Sequence, residues 1–343
     1  MNYFSIGSDK LKISRVITGT WQMGGWYFGK SDRKESLNSI QASLDAGINT
    51  FDTAPVYGFG KSEEILGEAM RGRRDKFVVL DKCGLRWNCS DGKFFFEVPD
   101  FEEKKYSVYR NLRKESIIYE CEQSLLRLNT DYIDLYQIHW PDPSVPISDA
   151  AEAMEHLISQ GKIRNVGVSN FSVQNTVDFR NISDNLDVVS VQEKFNLIDR
   201  KALTNKIPYC KKNKISFFAY SPLEQGLLSG KFGKNNEFSK GDYREGKFSL
   251  KPDSYNLISR TKDELSDLLQ KYGCSMANLS LSWLLNVSGV SAVICGARTE
   301  KQAIENSWSS SIIIEDADMR KIENVFENYF SSGKKRKAIG KKD

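Results

Sequence analysis

Short apolar runs recur along the chain, each ending in a polar or glycine-containing loop and each followed by a stretch with helical spacing. The runs are ISRVITGTW, GINTFD, KFVVLDK, YIDLYQIH, IRNVGVSN, VVSVQE, ISFFAYS and SAVICGA. They read as short buried strands. In the intervening stretches the buried positions return every three or four residues, as in Ile117, Cys121, Ser124, Leu125 and Leu128. That spacing marks a helix with one covered face. Gly47 and Gly161 stand where two such helices should stop, because a residue without Cβ suits a left-handed cap.

Eight strand–helix units in succession predict an α/β fold, a (β/α)8 TIM barrel. The competitor is a doubly wound open sheet, but no G-x-G-x-x-G follows the first strand, and Thr18-Gly19-Thr20 is not that fingerprint. Ahead of the first barrel strand, YFSIGSDKLKIS has the pattern of a β-hairpin placed to plug the bottom of the barrel. An extra helix is expected at the C-terminal end. Two connections are long, 84–107 after the third barrel strand and about 223–254 after the seventh. Loops of that length in a compact domain are usually functional or mobile. With no repeat and no linker, residues 1–332 are expected to form a single domain. The basic run GKKRKAIGKKD, 333–343, is expected to be a disordered tail.

Composition narrows the class. With 27% charged and 40% hydrophobic residues, the chain reads as an ordinary globular protein. The net charge of +4 is slight for 343 residues and much of it sits in the tail, so no nucleic-acid partner is expected. No apolar run is long enough to cross a membrane, and MNYFSIGSDKLK lacks the apolar segment of a signal peptide. A cytoplasmic location is the expectation. Six cysteines without a C-x-x-C pair, and only two histidines, argue against a disulfide framework and against a metal site.

In a parallel barrel the C-terminal strand ends converge on one face, where the chemistry sits. Asp52 ends the second strand, Tyr57 lies in its loop, Lys82 ends the third strand and His139 the fourth. Together they make sense as one acid. A free phenol ionises near pH ~10; an ammonium beside it is expected to lower that value. Asp52 would hold the lysine, His139 would hydrogen-bond a carbonyl oxygen, and Tyr57 would deliver the proton.

The stretches DTAPVYGFGKSEEILG, YIDLYQIHWPD and GKIRNVGVSNF closely resemble the aldo-keto reductases over roughly residues 8–330, with GLRW at 84–87 similar to the bacterial-type branch. The resemblance implies reversible reduction of an aldehyde or ketone by NADPH without a metal, and it matches Asp52, Tyr57, Lys82 and His139 to the catalytic tetrad. It implies nicotinamide contacts from Ser169, Asn170 and Gln192, with Tyr220 stacking on the ring. Thr20, Trp21 and Asp52 would also border the cofactor. Ser221, Pro222, Leu223, Gly226 and Lys231, in the loop SPLEQGLLSGK, would pass over the diphosphate.

In GARTEKQAIEN, from Gly296 onward, Thr299 and Gln302 have capping-box spacing, so a helix with a positive N-terminus is expected there. The resemblance assigns Arg298 to a 2′-phosphate and Gln302, Glu305 and Asn306 to the adenosine end. An arginine fork suits phosphate better than a ribose hydroxyl. Trp21, Tyr57, Trp87, His139 and Trp140 are the candidate substrate pocket.

The small-molecule partner is expected to be a carbonyl compound or a sugar. Two further readings stay open: a nucleotide-binding redox sensor acting on a protein partner, and a nucleotide-sugar ketoreductase. His156 reads as a surface or helix-packing residue, and Cys83 as a buried spacer, with oxidation sensing as its alternative. Phe94 to Phe96 read as local packing in the first long loop, or as a substrate lid.

Overall fold

The computed structural model describes residues 1–330 except 26–28, 30, 100–104, 185, 232–241 and 243–251. The tail at 333–343 and most of the 223–254 connection therefore lie outside the described residues.

The expected hairpin is present as antiparallel β1 (Tyr3–Ile6) and β2 (Leu11–Ser14). Three barrel strands follow, β3 (Val16–Gly19), β4 (Thr50–Asp52) and β5 (Val78–Cys83). The first long connection then folds as an antiparallel sheet of its own. It comprises β6 (Leu85–Arg86), β7 (Lys93–Pro99) and β8 (Lys105–Arg110), with β8 in the middle. The barrel resumes with β9 (Ile133–Ile138), β10 (Ile163–Ser169), β11 (Val188–Lys194), β12 (Ser216–Tyr220) and β13 (Val290–Gly296). All barrel pairs are parallel. Strand β13 closes the cylinder on β3, with Val293 opposite Val16 and Gly296 opposite Gly19. Each apolar run of the sequence overlaps one barrel strand.

Helices pack around the cylinder, and their local causes are visible. Helix Arg33–Asp45 starts where the Asp32 side chain accepts from the Glu35 amide. Helix Lys114–Leu128 buries Ile117, Cys121, Ser124 and Leu128, and stops at Asn129 with φ of 51°. Gly47 and Gly161 follow their helices with φ of 86° and 68°, as their positions required. The extra C-terminal helix is Asp316–Phe330.

Alternation along the strands builds two cores. Ile17, Leu80, Leu135, Phe218 and Ala292 pack inside the cylinder together with Ile6 and Ile13 of the hairpin. Phe51, Val79, Tyr136 and Phe217 belong to the layer between strands and helices. Two residues beyond Leu80 and Leu135, on the same inward face, stand Lys82 and Gln137. The inward face thus turns from apolar to polar at the C-terminal strand ends, and that change places the site.

Candidate active site

Asp52 is the last residue of β4, Lys82 lies one residue from the end of β5, and His139 directly follows β9. Tyr57 comes from the loop after β4. That loop is held by backbone contact: a Cβ on Gly58, whose φ is 64°, would lie 2.2 Å from the Gly24 carbonyl oxygen. Only glycine permits the approach, and it fixes Tyr57 against the short turn Trp21–Gly24.

The four side chains meet. Lys82 Nζ donates to Asp52 Oδ1 at 2.7 Å and to the Thr53 carbonyl at 2.8 Å, and stands 3.3 Å from the Tyr57 phenol oxygen. The Tyr57 ring stacks on Trp21 at 5.7 Å between centroids and meets His139 edge-on at 5.8 Å.

The protonation states differ in one respect from the reading of the sequence. Burial, then the negative fields of Asp52 and Asp81, push the Tyr57 phenol well above its ordinary range, not below it. A phenolate there would be partly desolvated and near two carboxylates, and one lysine already paired with Asp52 does not offset that cost. Tyr57 therefore holds its proton at neutral pH. His139 is pushed well below the usual imidazole range by burial and by Lys82, so its ring is neutral.

These groups open into a cleft of ≈ 960 Å³ across the barrel rim. On one side of His139, Asn170 donates to the His139 carbonyl at 2.9 Å and accepts from the Tyr220 hydroxyl at 2.8 Å. Beyond it runs the loop after β12, in which Ser221, Glu224 and Gln225 take left-handed φ of 50°, 45° and 58°. Asn196 braces this loop through the Ser221 carbonyl at 3.0 Å and Glu224 at 2.7 Å, and Lys194 pairs with Glu224.

At the far end Lys231, Arg298, Gln302, Glu305 and Asn306 line the cleft. The predicted helix is there, Glu300–Trp308, with the Thr299 side chain accepting from the Gln302 amide. The reciprocal half of the capping box is displaced by one residue, since Gln302 Oε1 accepts from the Arg298 amide at 2.8 Å. Lys231 is paired with Glu305 at 2.9 Å.

Most of the residues singled out from the sequence line this cleft: Trp21, Asp52, Tyr57, His139, Trp140, Ser169, Asn170, Gln192, Tyr220, Ser221, Pro222, Leu223, Gly226 and Gly296 among them. Two do not. Thr20 is fully buried beneath it, its hydroxyl on the Asp52 carbonyl at 3.0 Å and on Ser62 Oγ at 2.6 Å. Trp87 packs on Phe59 under the Arg127 guanidinium, away from the lining. Gln192 reaches the cleft, but its amide donates to Asp52 Oδ2 at 2.8 Å.

Sequence reading missed Gln22 and Lys194, both lining residues, while Phe95 and Phe96, read as local packing or a substrate lid, also line the cleft. Lys194 had a signal, since it continues the inward period of two from Gln192. Gln22 reads as an ordinary loop residue, yet it bridges the Gly19 and Ala297 carbonyls at 2.9 and 3.1 Å. Cys83 is a buried spacer, as read, and burial pushes its thiol well up.

A closed parallel barrel with its ionisable groups gathered at the C-terminal rim is the architecture of a barrel enzyme. The family model described as Aldo/keto reductase family matches residues 15–327. The chain belongs to the aldo/keto reductase family, oxidoreductases of carbonyl compounds. It is 36% identical to the aldo-keto reductase YhdN of Bacillus subtilis over 96% of this chain and 95% of that one. It is 33% identical to the NADH-specific methylglyoxal reductase of Escherichia coli over 95% of this chain and 100% of that one. Among solved structures, the glycerol dehydrogenase of Gluconobacter oxydans superimposes with a TM-score of 0.83 at 34% identity, covering 95% of both chains. Among the described residues no helix is long and apolar enough to cross a membrane, and no group of three or more His, Cys, Asp or Glu could hold a metal ion.

Proposed function

We propose that this protein reduces an aldehyde or ketone to the alcohol with NADPH, and that Tyr57 donates the proton. The observation that carries the reading is the contact of Tyr57 with Lys82 at 3.3 Å, while Lys82 is itself tied to Asp52 at 2.7 Å. When bound, a reduced nicotinamide supplies the hydride. Tyr57, protonated at neutral pH, gives up its proton as negative charge grows on the substrate oxygen. Lys82 stabilises the phenolate that this leaves behind, and Asp52 keeps the ammonium in position. Neutral His139 offers a hydrogen bond to the same oxygen.

The far end of the cleft fits a dinucleotide in its donor chemistry. Arg298, Lys231 and the N-terminus of helix Glu300–Trp308 are close-set groups that favour phosphate. The left-handed backbone between Ser221 and Gly226 is of the kind that gathers amides around an anion. Two observations favour NADH instead: the carboxylate of Glu305 lines the same corner, and a relative of this length is named NADH-specific. The test is steady-state oxidation of each reduced nucleotide with methylglyoxal, glyceraldehyde and benzaldehyde. Turnover of NADPH with at least one of these carbonyls supports the reading, and turnover with NADH alone overturns its choice of nucleotide. No turnover with any pair would overturn it.

A further inference from the structure

The cleft is divided by chemistry. Outside the Asp52–Tyr57–His139 group, its charged lining residues among the described residues are Lys194, Lys231, Arg298 and Glu305. All come from β11, the loop after β12 and the corner after β13, on the side assigned to the nucleotide. Among the described residues, the rest of the wall near Tyr57 is Trp21, Val56, Leu85, Phe95, Phe96 and Trp140, with no charged side chain among them. These residues and Tyr57 belong to a single hydrophobic cluster.

Half of that wall comes from outside the barrel. Leu85 lies on β6, and Phe95 and Phe96 lie on β7. The Phe95 ring is gripped on several sides. It lies 5.4 Å from Trp140 and 5.1 Å from Phe96, and the Arg110 guanidinium of β8 sits 4.6 Å over its face. Arg110 is anchored in turn by donating to the Pro141 carbonyl at 3.0 Å. A ring fixed in this way is a preformed surface for another flat apolar group, which orders little on binding. A phosphate, a carboxylate or a row of hydroxyls would meet aromatic carbon there and lose hydrogen bonds to water.

Resting on the reductase reading above, we infer that the sheet β6–β8 sets substrate choice, and that it selects aromatic carbonyl compounds over small polyhydroxylated ones. Phe95 and Phe96 are specificity-determining residues that stack against the substrate ring. They take no part in hydride or proton transfer.

The test compares kcat/KM for benzaldehyde and for glyceraldehyde in the parent protein and in Phe95→Ala, Phe96→Ala and the gentler Phe95→Leu. The parent should favour benzaldehyde. Each alanine variant should lower the benzaldehyde-to-glyceraldehyde ratio by about 2- to 12-fold, the range one aromatic pair contributes, mainly through KM. A merely structural role would lower both substrates together and leave the ratio unmoved, which overturns the inference. A parent preference for glyceraldehyde overturns it as well.

A readout independent of turnover is quenching of tryptophan fluorescence by benzyl alcohol against glycerol. Selective benzyl alcohol binding that Phe95→Leu weakens supports the aromatic wall even if no carbonyl is reduced. In that case it is the reductase reading that fails. Equal or absent quenching by the two alcohols counts against the wall itself.

Discussion

Lys82 Nζ and Asp52 Oδ1 lie 2.7 Å apart, with side-chain exposures of 0% and 4%. Neither charge is solvated, so each depends on the other and on the carbonyl of Thr53 and the amide of Gln192. Removing one partner strands the other in a dry site, which typically costs about 3–5 kcal/mol. Lys82→Met should therefore lower both activity and the urea midpoint. Adding Asp52→Asn should restore much of the midpoint without restoring turnover. If the single variant unfolds at the parent midpoint, the pair is not the buried couple described here.

Tyr57→Phe separates chemistry from binding. The ring and its stacking on Trp21 remain, and only the hydroxyl is lost. Loss of a general acid lowers the rate by about 10² to 10⁴, so kcat should fall at least that far while nucleotide affinity stays near the parent value. Single-turnover kinetics and a fluorescence titration read the two quantities. A variant that retains more than about a tenth of the chemical rate would remove Tyr57 from the proton-donor role.

The upward shift of Tyr57 sets the pH behaviour. Reduction uses the protonated phenol, which is the form present throughout the neutral range, so its chemical step should be flat between about pH 6 and 8. Alcohol oxidation needs the phenolate, and its rate should still be climbing near pH ~10, where an ordinary tyrosine is half ionised. An oxidation profile that levels off near neutrality would mean that the phenol is shifted down in the working enzyme.

Arg298→Ala tests the nucleotide. If Arg298 meets a 2′-phosphate, NADPH affinity should fall by about ten- to a hundredfold, the range of a contact worth ~1.5–3 kcal/mol, with NADH affinity little changed. Equal weakening of both nucleotides, or a parent protein that prefers NADH, would assign this corner to an unphosphorylated ribose.

Glu120 gives a stability prediction away from the cleft. Both its oxygens accept from the Gly84 amide, at 3.1 and 3.2 Å, at the point where the chain leaves β5 for the inserted sheet. Burial lifts its pKa to about 8, against the partial counter-pull of Arg86. A folded value above the unfolded one makes its contribution complete below pH ~4.3 and progressively lost as pH rises to about 8. Glu120→Gln keeps an acceptor for Gly84 and removes the titration. It should show a flatter pH dependence of the urea midpoint and exceed the parent above about pH 8. Identical slopes in the two proteins would contradict this.

The sequence by itself determined the barrel and the hairpin, and it picked out the four residues of the proposed acid. Each barrel strand is a local apolar run, each helix a local three-and-four spacing, and strand ends on a parallel barrel converge wherever the side chains happen to lead. Asp52, Lys82 and His139 were legible because their position on a strand fixes their place on the rim. Tertiary structure alone decided what depends on distance between remote segments. Thr20 turned inward because the hydroxyl of Ser62 and the carbonyl of Asp52 were there to receive it. Gln192 was claimed by Asp52 across the barrel. The protonation of Tyr57 followed from its partial burial beside Asp52 and Asp81, which no spacing encodes. The aromatic wall is the clearest case: Phe95 and Phe96 lie far along the chain from Tyr57, and only the folding of β7 onto β8 brings them to the same cleft.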